Sequence, residues 1–357
     1  MVRHAVPDRQ PTRSRTALSA NVQPLRTAPA AAEPSLAPLM ALVAPELNDV
    51  NRVILDRMQS PVALIPELAG HLISGGGKRM RPMLTLACAR LVGYAGARHH
   101  KLAAAVEFIH TATLLHDDVV DVSGLRRGRR TANIIWGNAA SVLVGDFLFS
   151  RAFELMVEDG SLRVLKILSN ASAVIAAGEV DQLTAARQID TGEDRYLSII
   201  GAKTAALFAA ACEIAAVVAE RDEPVQSALE CYGRNLGIAF QLTDDVIDYA
   251  GTAGEMGKDA GDDFREGKVT LPVILAYARG DELARRFWRE AILGKRTSDV
   301  DLAEAVRLMQ ATGALADSLA RARLYADRAT AALAGFAPGA AKAALTEAAA
   351  FAVARAY

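Results

Sequence analysis

Two stretches of this 357-residue chain carry the same arrangement of carboxylates. One reads Leu115-His116-Asp117-Asp118-Val119-Val120-Asp121, the other Gln241-Leu242-Thr243-Asp244-Asp245-Val246-Ile247-Asp248. On a helix, positions i and i+4 share a face, so Asp117 aligns with Asp121 and Asp244 with Asp248. Asp118 and Asp245 are rotated from those faces by roughly 100°. Like charges at this spacing destabilise a helix, and Leu114, Leu115, Val119, Val246 and Ile247 around them are apolar. Carboxylates in such surroundings need a cation or hydrogen-bond donors. Oxygen ligands without a Cys or His cluster suit a hard ion, Mg²⁺, which completes its shell with phosphate oxygens. Either motif alone reads equally well as an acidic helix end. Their pairing in apolar helices favours a metal-bound diphosphate.

Such a site also needs cations, and four basic sets are present. Gly75-Gly76-Gly77-Lys78-Arg79-Met80-Arg81-Pro82 is a glycine-rich turn opening a helix, where backbone N–H groups and positive side chains favour phosphate. Arg126-Arg127-Gly128 follows the first acidic motif after a short loop. Lys203-Thr204 sits in an otherwise apolar helix, where a lysine either meets an anion or reaches out to water. Lys258 and Lys268 flank Asp262-Asp263 in a Gly-rich loop. His110 lies seven residues before Asp117, two turns back on the same face. A histidine there is ordinarily a hydrogen-bonded core residue, but its alignment with Asp117 favours a diphosphate contact. Each basic set also has a plain reading as surface charge or helix cap.

The elements that must hold these groups are helices. From Pro38 onward apolar residues recur at helical spacing, over 80–92, 99–121, 138–158, 161–186, 193–220 and 223–249, with glycines between them. Hydrophobic residues make up 52% of the chain but aromatics only 5%, a composition that suits closely packed helices better than sheets. The pattern predicts an all-α protein, one large helical bundle of ten or more helices over residues 36–357. Residues 1–35, with five arginines and several prolines, read as a disordered extension, the alternative being an organelle transit peptide. The net charge of -1 supplies no field to gather nucleic acid. Cys88, Cys212 and Cys231 are scattered through apolar patterns, which suggests buried thiols in a reducing compartment, and a cytoplasmic location is expected. The longest apolar run, Thr204 to Ala219, is interrupted by Glu213 and is too short to span a bilayer. It reads as a buried helix, and no transmembrane segment is expected.

Taken in order, GGKRMRP (76–82), HDDVVD (116–121), LRRG (125–128), GDFL (145–148), GAKTAALF (201–208), FQLTDDVIDY (240–249) and GDDFREGKVTLP (261–272) resemble the trans-polyprenyl diphosphate synthases. The resemblance implies an isoprenoid-synthase-type bundle that adds isopentenyl diphosphate to an allylic diphosphate with Mg²⁺, three ions when substrate is bound. It implies that Asp117, Asp121 and Asp244 ligate metal, with Asp248 acting through water or at longer range. Arg126, Lys203, Thr204, Gln241 and Lys258 would hold the allylic diphosphate, Lys203 also serving catalysis. Lys78, Arg81, His110 and Arg127 would hold isopentenyl diphosphate. The family also implies a homodimer, association with membranes only through the product, and a product destined for a quinone side chain.

Two departures stand out: Gly257-Lys258-Asp259 where many relatives have Gly-Lys-Asn, and Lys268-Val269-Thr270 where many have Lys-Pro-Thr. Neither removes a catalytic group. In this family a bulky side chain four or five positions before the first Asp shortens the product. Here Thr113 and Ala112 occupy those positions, with Ile109 a turn further back, so a product of about eight to ten isoprene units is expected, Phe108 lying on the flank. A class I terpene cyclase would have no need of GGKRMRP or of His110 and Arg127, which imply a second diphosphate. A non-catalytic subunit of a heteromeric synthase usually loses one acidic motif, and both are present here.

Overall fold

The computed structural model describes residues 33–74, 77–126, 128–250 and 261–355. Arg127, Lys258 and most of the N-terminal 35 residues therefore lie outside the described residues. The chain runs as α1 (Ala37–Arg57), α2 (Leu64–Ser74), α3 (Met80–Leu91), α4 (Arg98–Val120), α5 (Ala132–Trp136), α6 (Asn138–Asp159), α7 (Leu162–Ala185) and α8 (Glu193–Ile200). A π-helical turn, Gly201–Ala205, joins α8 to α9 (Ala206–Val218). Then come α10 (Glu223–Ala250), α11 (Asp262–Glu266), α12 (Leu271–Arg279), α13 (Glu282–Ile292), α14 (Asp299–Ala311), α15 (Ala314–Ala332) and α16 (Ala340–Ala354). The all-α expectation holds. The one departure among the described residues is a two-residue antiparallel ribbon, Leu125–Arg126 against Arg129–Arg130, with Leu125 opposite Arg130.

Helices that are apolar on every side belong in the interior, and α3, α4 and α9 show why. Met83 to Ala89, Leu102 to Val106 and Ala205 to Cys212 are runs of buried residues, most of them alanine or leucine. α4 packs along α6 and also meets α1, α3 and α9. α10 lies against α9 and α15, so the two acidic motifs sit on central helices. Glu193–Val218 is long and apolar enough to cross a membrane by composition, but it is mostly buried within the bundle, as a core helix should be. A smaller core around Tyr249, Phe264, Trp288 and Met309 joins the end of α10 to α11, α13 and α14. Cys88 and Cys212 are buried as anticipated, whereas Cys231 is exposed.

Candidate active site

The first acidic motif occupies the last turn of α4. Asp118 has no exposed surface and its Oδ1 accepts hydrogen bonds from Arg126 Nε at 2.9 Å and Nη2 at 2.7 Å. The short ribbon after α4 carries Arg126 back to it. Asp118 thus lies off the shared face, as the spacing predicts, yet it does structural work by seating a basic residue. Asp117 is pushed up to about 7, chiefly by burial, with Lys203 opposing and Glu179 and Asp121 adding to the rise. A carboxyl group so crowded by burial and by other carboxylates is stabilised in its charged form by a cation. The donors here are all carboxylate oxygens, so the residues fit a hard divalent ion.

Lys203 and Thr204 reach this region because of the π turn, which inserts one residue into the helical repeat and re-aims the side chains there. Close helix approach depends on glycine. A Cβ at Gly178 of α7 would lie 2.7 Å from Ala202 Cβ and 3.0 Å from Lys203 N. Lys203 Nζ donates to Glu179 Oε2 at 2.8 Å, so the anionic partner the lysine needed lies on α7. Thr204 Oγ1 donates to Gln241 Oε1 at 2.8 Å, and Gln241 Nε2 donates to Asp245 Oδ1 at 2.8 Å. Tyr196 Oη donates to the other oxygen, Asp245 Oδ2, at 2.5 Å. Burial, with Asp263 adding, holds the Asp245 carboxyl well above the usual range, while the Tyr196 and Gln241 hydrogen bonds pull the other way.

These groups border a cavity of about 360 Å³ whose polar lining includes Asp121, Lys203, Gln241, Asp245, Asp263 and Lys268. Burial would lower the Lys268 pKa, but Asp263, Glu266 and Asp121 together raise it, which keeps the ammonium charged. Asp244 and Asp248 do not line this cavity. Asp244 Oδ1 accepts from Arg355 Nη1 at 2.6 Å. Asp248 Oδ2 accepts from the Asp263 backbone N–H at 3.1 Å, and its carbonyl from Gly261 N–H at 2.8 Å. In the second motif, then, it is the rotated residue Asp245 that faces the cavity.

The basic residues Lys78, Arg81 and His110 lie outside the lining of this cavity. Lys78 is exposed, with Nζ 4.8 Å from the centroid of the Phe351 ring on α16. The Arg81 guanidinium lies 4.3 Å from the Phe208 ring, Phe208 is 5.7 Å from Phe240, and Arg355 covers Phe240 at 3.6 Å. Arg81 and Arg355 thus flank the Phe208–Phe240 pair and Lys78 lies on Phe351, and none of the three is among the residues lining the Lys203 cavity. Arg79 has a left-handed backbone (φ 50°), and its guanidinium donates to Glu107 at 3.0 Å. His110 is half-buried and its carbonyl accepts the Thr113 hydroxyl at 2.8 Å. Ile109 and Ala112 have no exposed surface and are not among the residues lining this cavity.

Four further residues of this region carry little or no signal in the sequence. Glu179, two residues before Asp181 on the largely apolar α7, is the counterpart of the half-buried Lys203. Tyr196 sits seven residues before Lys203, Asp263 lies on α11 and Arg355 follows the last residue of α16. Nothing local marks Tyr196 or Arg355.

The polyprenyl synthetase family model matches residues 62–309. The chain is 47% identical over 293 residues to octaprenyl diphosphate synthase of Escherichia coli, covering 82% of this chain and 90% of that one. A polyprenyl synthase of Caulobacter crescentus, solved with calcium and isoprenyl diphosphate, is 54% identical with a TM-score of 0.88, over 91% of this chain and 99% of that one. A decaprenyl diphosphate synthase from Rhodobacter capsulatus is 51% identical with a TM-score of 0.87, over 90% of this chain and all of that one (100%). An all-α bundle bearing paired aspartate motifs agrees with these matches, and the chain belongs to the polyprenyl synthetase family of prenyltransferases.

Proposed function

We propose that this chain condenses isopentenyl diphosphate with an allylic diphosphate to make a long trans-polyprenyl chain, of about eight to ten isoprene units, for a quinone side chain. The observation that carries the reading is a cavity beside the acidic helices lined by lysines, with further cations held on aromatic rings outside its lining. Lys203 and Lys268 border the cavity beside Asp121, while Arg81 and Arg355 flank Phe208 and Phe240 and Lys78 lies on Phe351. Two diphosphates of opposite fate need cations in more than one place. In this assignment Asp117 and Asp121, with Asp244 from the second motif, hold Mg²⁺, three ions when substrate is bound. When bound, Mg²⁺ supplies positive charge to the departing diphosphate.

The chain's own contribution is electrostatic. Lys203, held by Glu179, sits where negative charge develops as the allylic C–O bond breaks. The isopentenyl double bond then forms the new C–C bond, and a proton leaves. The related enzymes that make octaprenyl and decaprenyl diphosphates support the chain length. So does the absence of an aromatic residue at Ala112 and Thr113. A homodimer is proposed with it; the exposed Val142, Leu143 and Val157 of α6 offer apolar surface for pairing, which sedimentation would check.

The test is incubation of the pure protein with Mg²⁺, labelled isopentenyl diphosphate and an allylic primer, followed by sizing of the products. Long labelled chains are expected from the wild type. Asp117→Ala should lower turnover by several orders of magnitude, and near-normal activity there would overturn the metal assignment. No incorporation by the wild type would favour the non-catalytic subunit reading. Ala112→Phe should shorten the product while early condensations continue; unchanged long chains from a folded Ala112→Phe protein would place the product elsewhere.

A further inference from the structure

Thr204, Gln241, Asp245 and Tyr196 form one hydrogen-bonded series across three elements, the π turn, α10 and α8, and all four border the cavity. The direction of each bond follows from the donors available. A threonine hydroxyl has one hydrogen, and Thr204 uses it on Gln241 Oε1. A hydroxyl can also accept, so it is the acceptor-only carboxylate of Asp245 that turns the Gln241 nitrogen to Asp245 and its oxygen to Thr204. That nitrogen carries two hydrogens, of which Asp245 Oδ1 takes one. Asp245 accepts through both oxygens, and Tyr196, buried with it, supplies the second donor at 2.5 Å.

We propose that Tyr196 and Asp245 are positioning residues that hold the Gln241 amide with its spare N–H toward the cavity, where it donates to the allylic diphosphate. The Tyr196 hydroxyl and the Asp245 carboxylate are engaged with each other and with Gln241, so both act through its amide. They act by preventing the amide from flipping, because a flipped amide would set its carbonyl oxygen against the Asp245 carboxylate and present that oxygen to an anion. An oxygen-for-donor exchange at a diphosphate turns an attraction into a repulsion, so a residue one bond removed from substrate controls its affinity. The inference rests on the reading of the Lys203 cavity as the allylic site.

The test uses the full-length enzyme and steady-state kinetics with each substrate varied in turn. Tyr196→Phe deletes one oxygen and leaves the ring in its pocket. It should raise the allylic KM by roughly tenfold, the loss of about one hydrogen bond to a charged group, and leave the isopentenyl KM within about twofold. Gln241→Glu, which keeps the shape but loses the donor, should raise the allylic KM at least as much. The Tyr196→Phe/Gln241→Glu double variant should be no worse than Gln241→Glu alone, because both act through one amide. A residue that merely supports packing would shift both KM values together or add fully to Gln241→Glu. Should Tyr196→Phe fail to fold, Asp245→Asn, which permits the flip without removing volume, should give the same selective effect. Lys203→Ala separates the site from its positioning. If it raises the allylic KM while Tyr196→Phe, or Asp245→Asn in its place, does not, the positioning role is wrong and the site assignment stands. If Lys203→Ala leaves the allylic KM unchanged, the site assignment fails and the positioning role fails with it.

Discussion

Gly237→Ala tests whether helix spacing sets the active geometry. Gly237 lies on α10 one turn before Gln241, pressed against the π turn. An added Cβ would sit 2.6 Å from Ala205 Cα, 3.0 Å from Ala205 Cβ and 3.2 Å from Phe208 Cβ. None of these is the end of a flexible side chain, and carbon atoms rest at about 3.5–4.0 Å. The two elements must therefore separate by about 1 Å. Thr204 and Gln241, bonded at 2.8 Å across the same junction, would move to about 3.8 Å, outside hydrogen-bond range. Overpacking costs about 1–3 kcal/mol, and alanine returns about 1 kcal/mol of helix propensity, so the protein should still fold. A misplacement of about 1 Å at a site can cost a hundredfold in rate. The expected result is a kcat/KM roughly a hundredfold down with only a modest fall in Tm. Gly70→Ala on α2, where nothing lies within 4 Å of the added carbon, serves as the control and should keep full activity. A folded Gly237→Ala enzyme within threefold of wild type would refute the idea that the spacing of α10 and the π turn sets the site.

Asp118→Ala strips Arg126 of its partner in a largely buried pair whose side chains are 0% and 23% exposed. Breaking such a pair costs about 3 kcal/mol or more, so the urea midpoint should fall clearly; an unchanged midpoint would show that the pair is replaceable. Arg355→Ala removes the guanidinium that occupies Asp244 at 2.6 Å. It should lower the Mg²⁺ concentration giving half-maximal activity, and an unchanged or higher requirement would argue against competition for that carboxylate. His99, buried with neither ring nitrogen hydrogen-bonded, faces Glu46, Arg90, Tyr94 and His100, and burial foremost, then the positive charge of His100 and Arg90, lowers its pKa to about 4 from 6.5. Its folded pKa is the lower one, so the unfolded chain binds the proton first as pH drops. The stability His99 contributes is present above pH 6.5 and is lost as pH falls toward 4. Thermal unfolding across that window should fall more steeply for the wild type than for His99→Gln, and parallel curves would refute it.

Much of this protein is legible from residue order because helices and their faces are local. The 3.6-residue period by itself announces α3, α4, α7, α9 and α10, and the i, i+4 spacing alone places Asp117 with Asp121. Lys203 in an apolar run declares its need for an anion. The identity of that anion, Glu179, is decided by tertiary packing, since it depends on how α7 docks against the π turn at Gly178. The same holds for Asp245, bonded to a tyrosine 49 residues away, and for Asp244, bonded to an arginine 111 residues away. Periodicity can say that Asp245 leaves the face of Asp244 but not which face meets the cavity. It can show small residues at Ala112 and Thr113 but not that Ala112 ends up with no exposed surface. Those outcomes turn on the distance and rotation between helices, set by side chains from several elements at once, and no single stretch of sequence contains them.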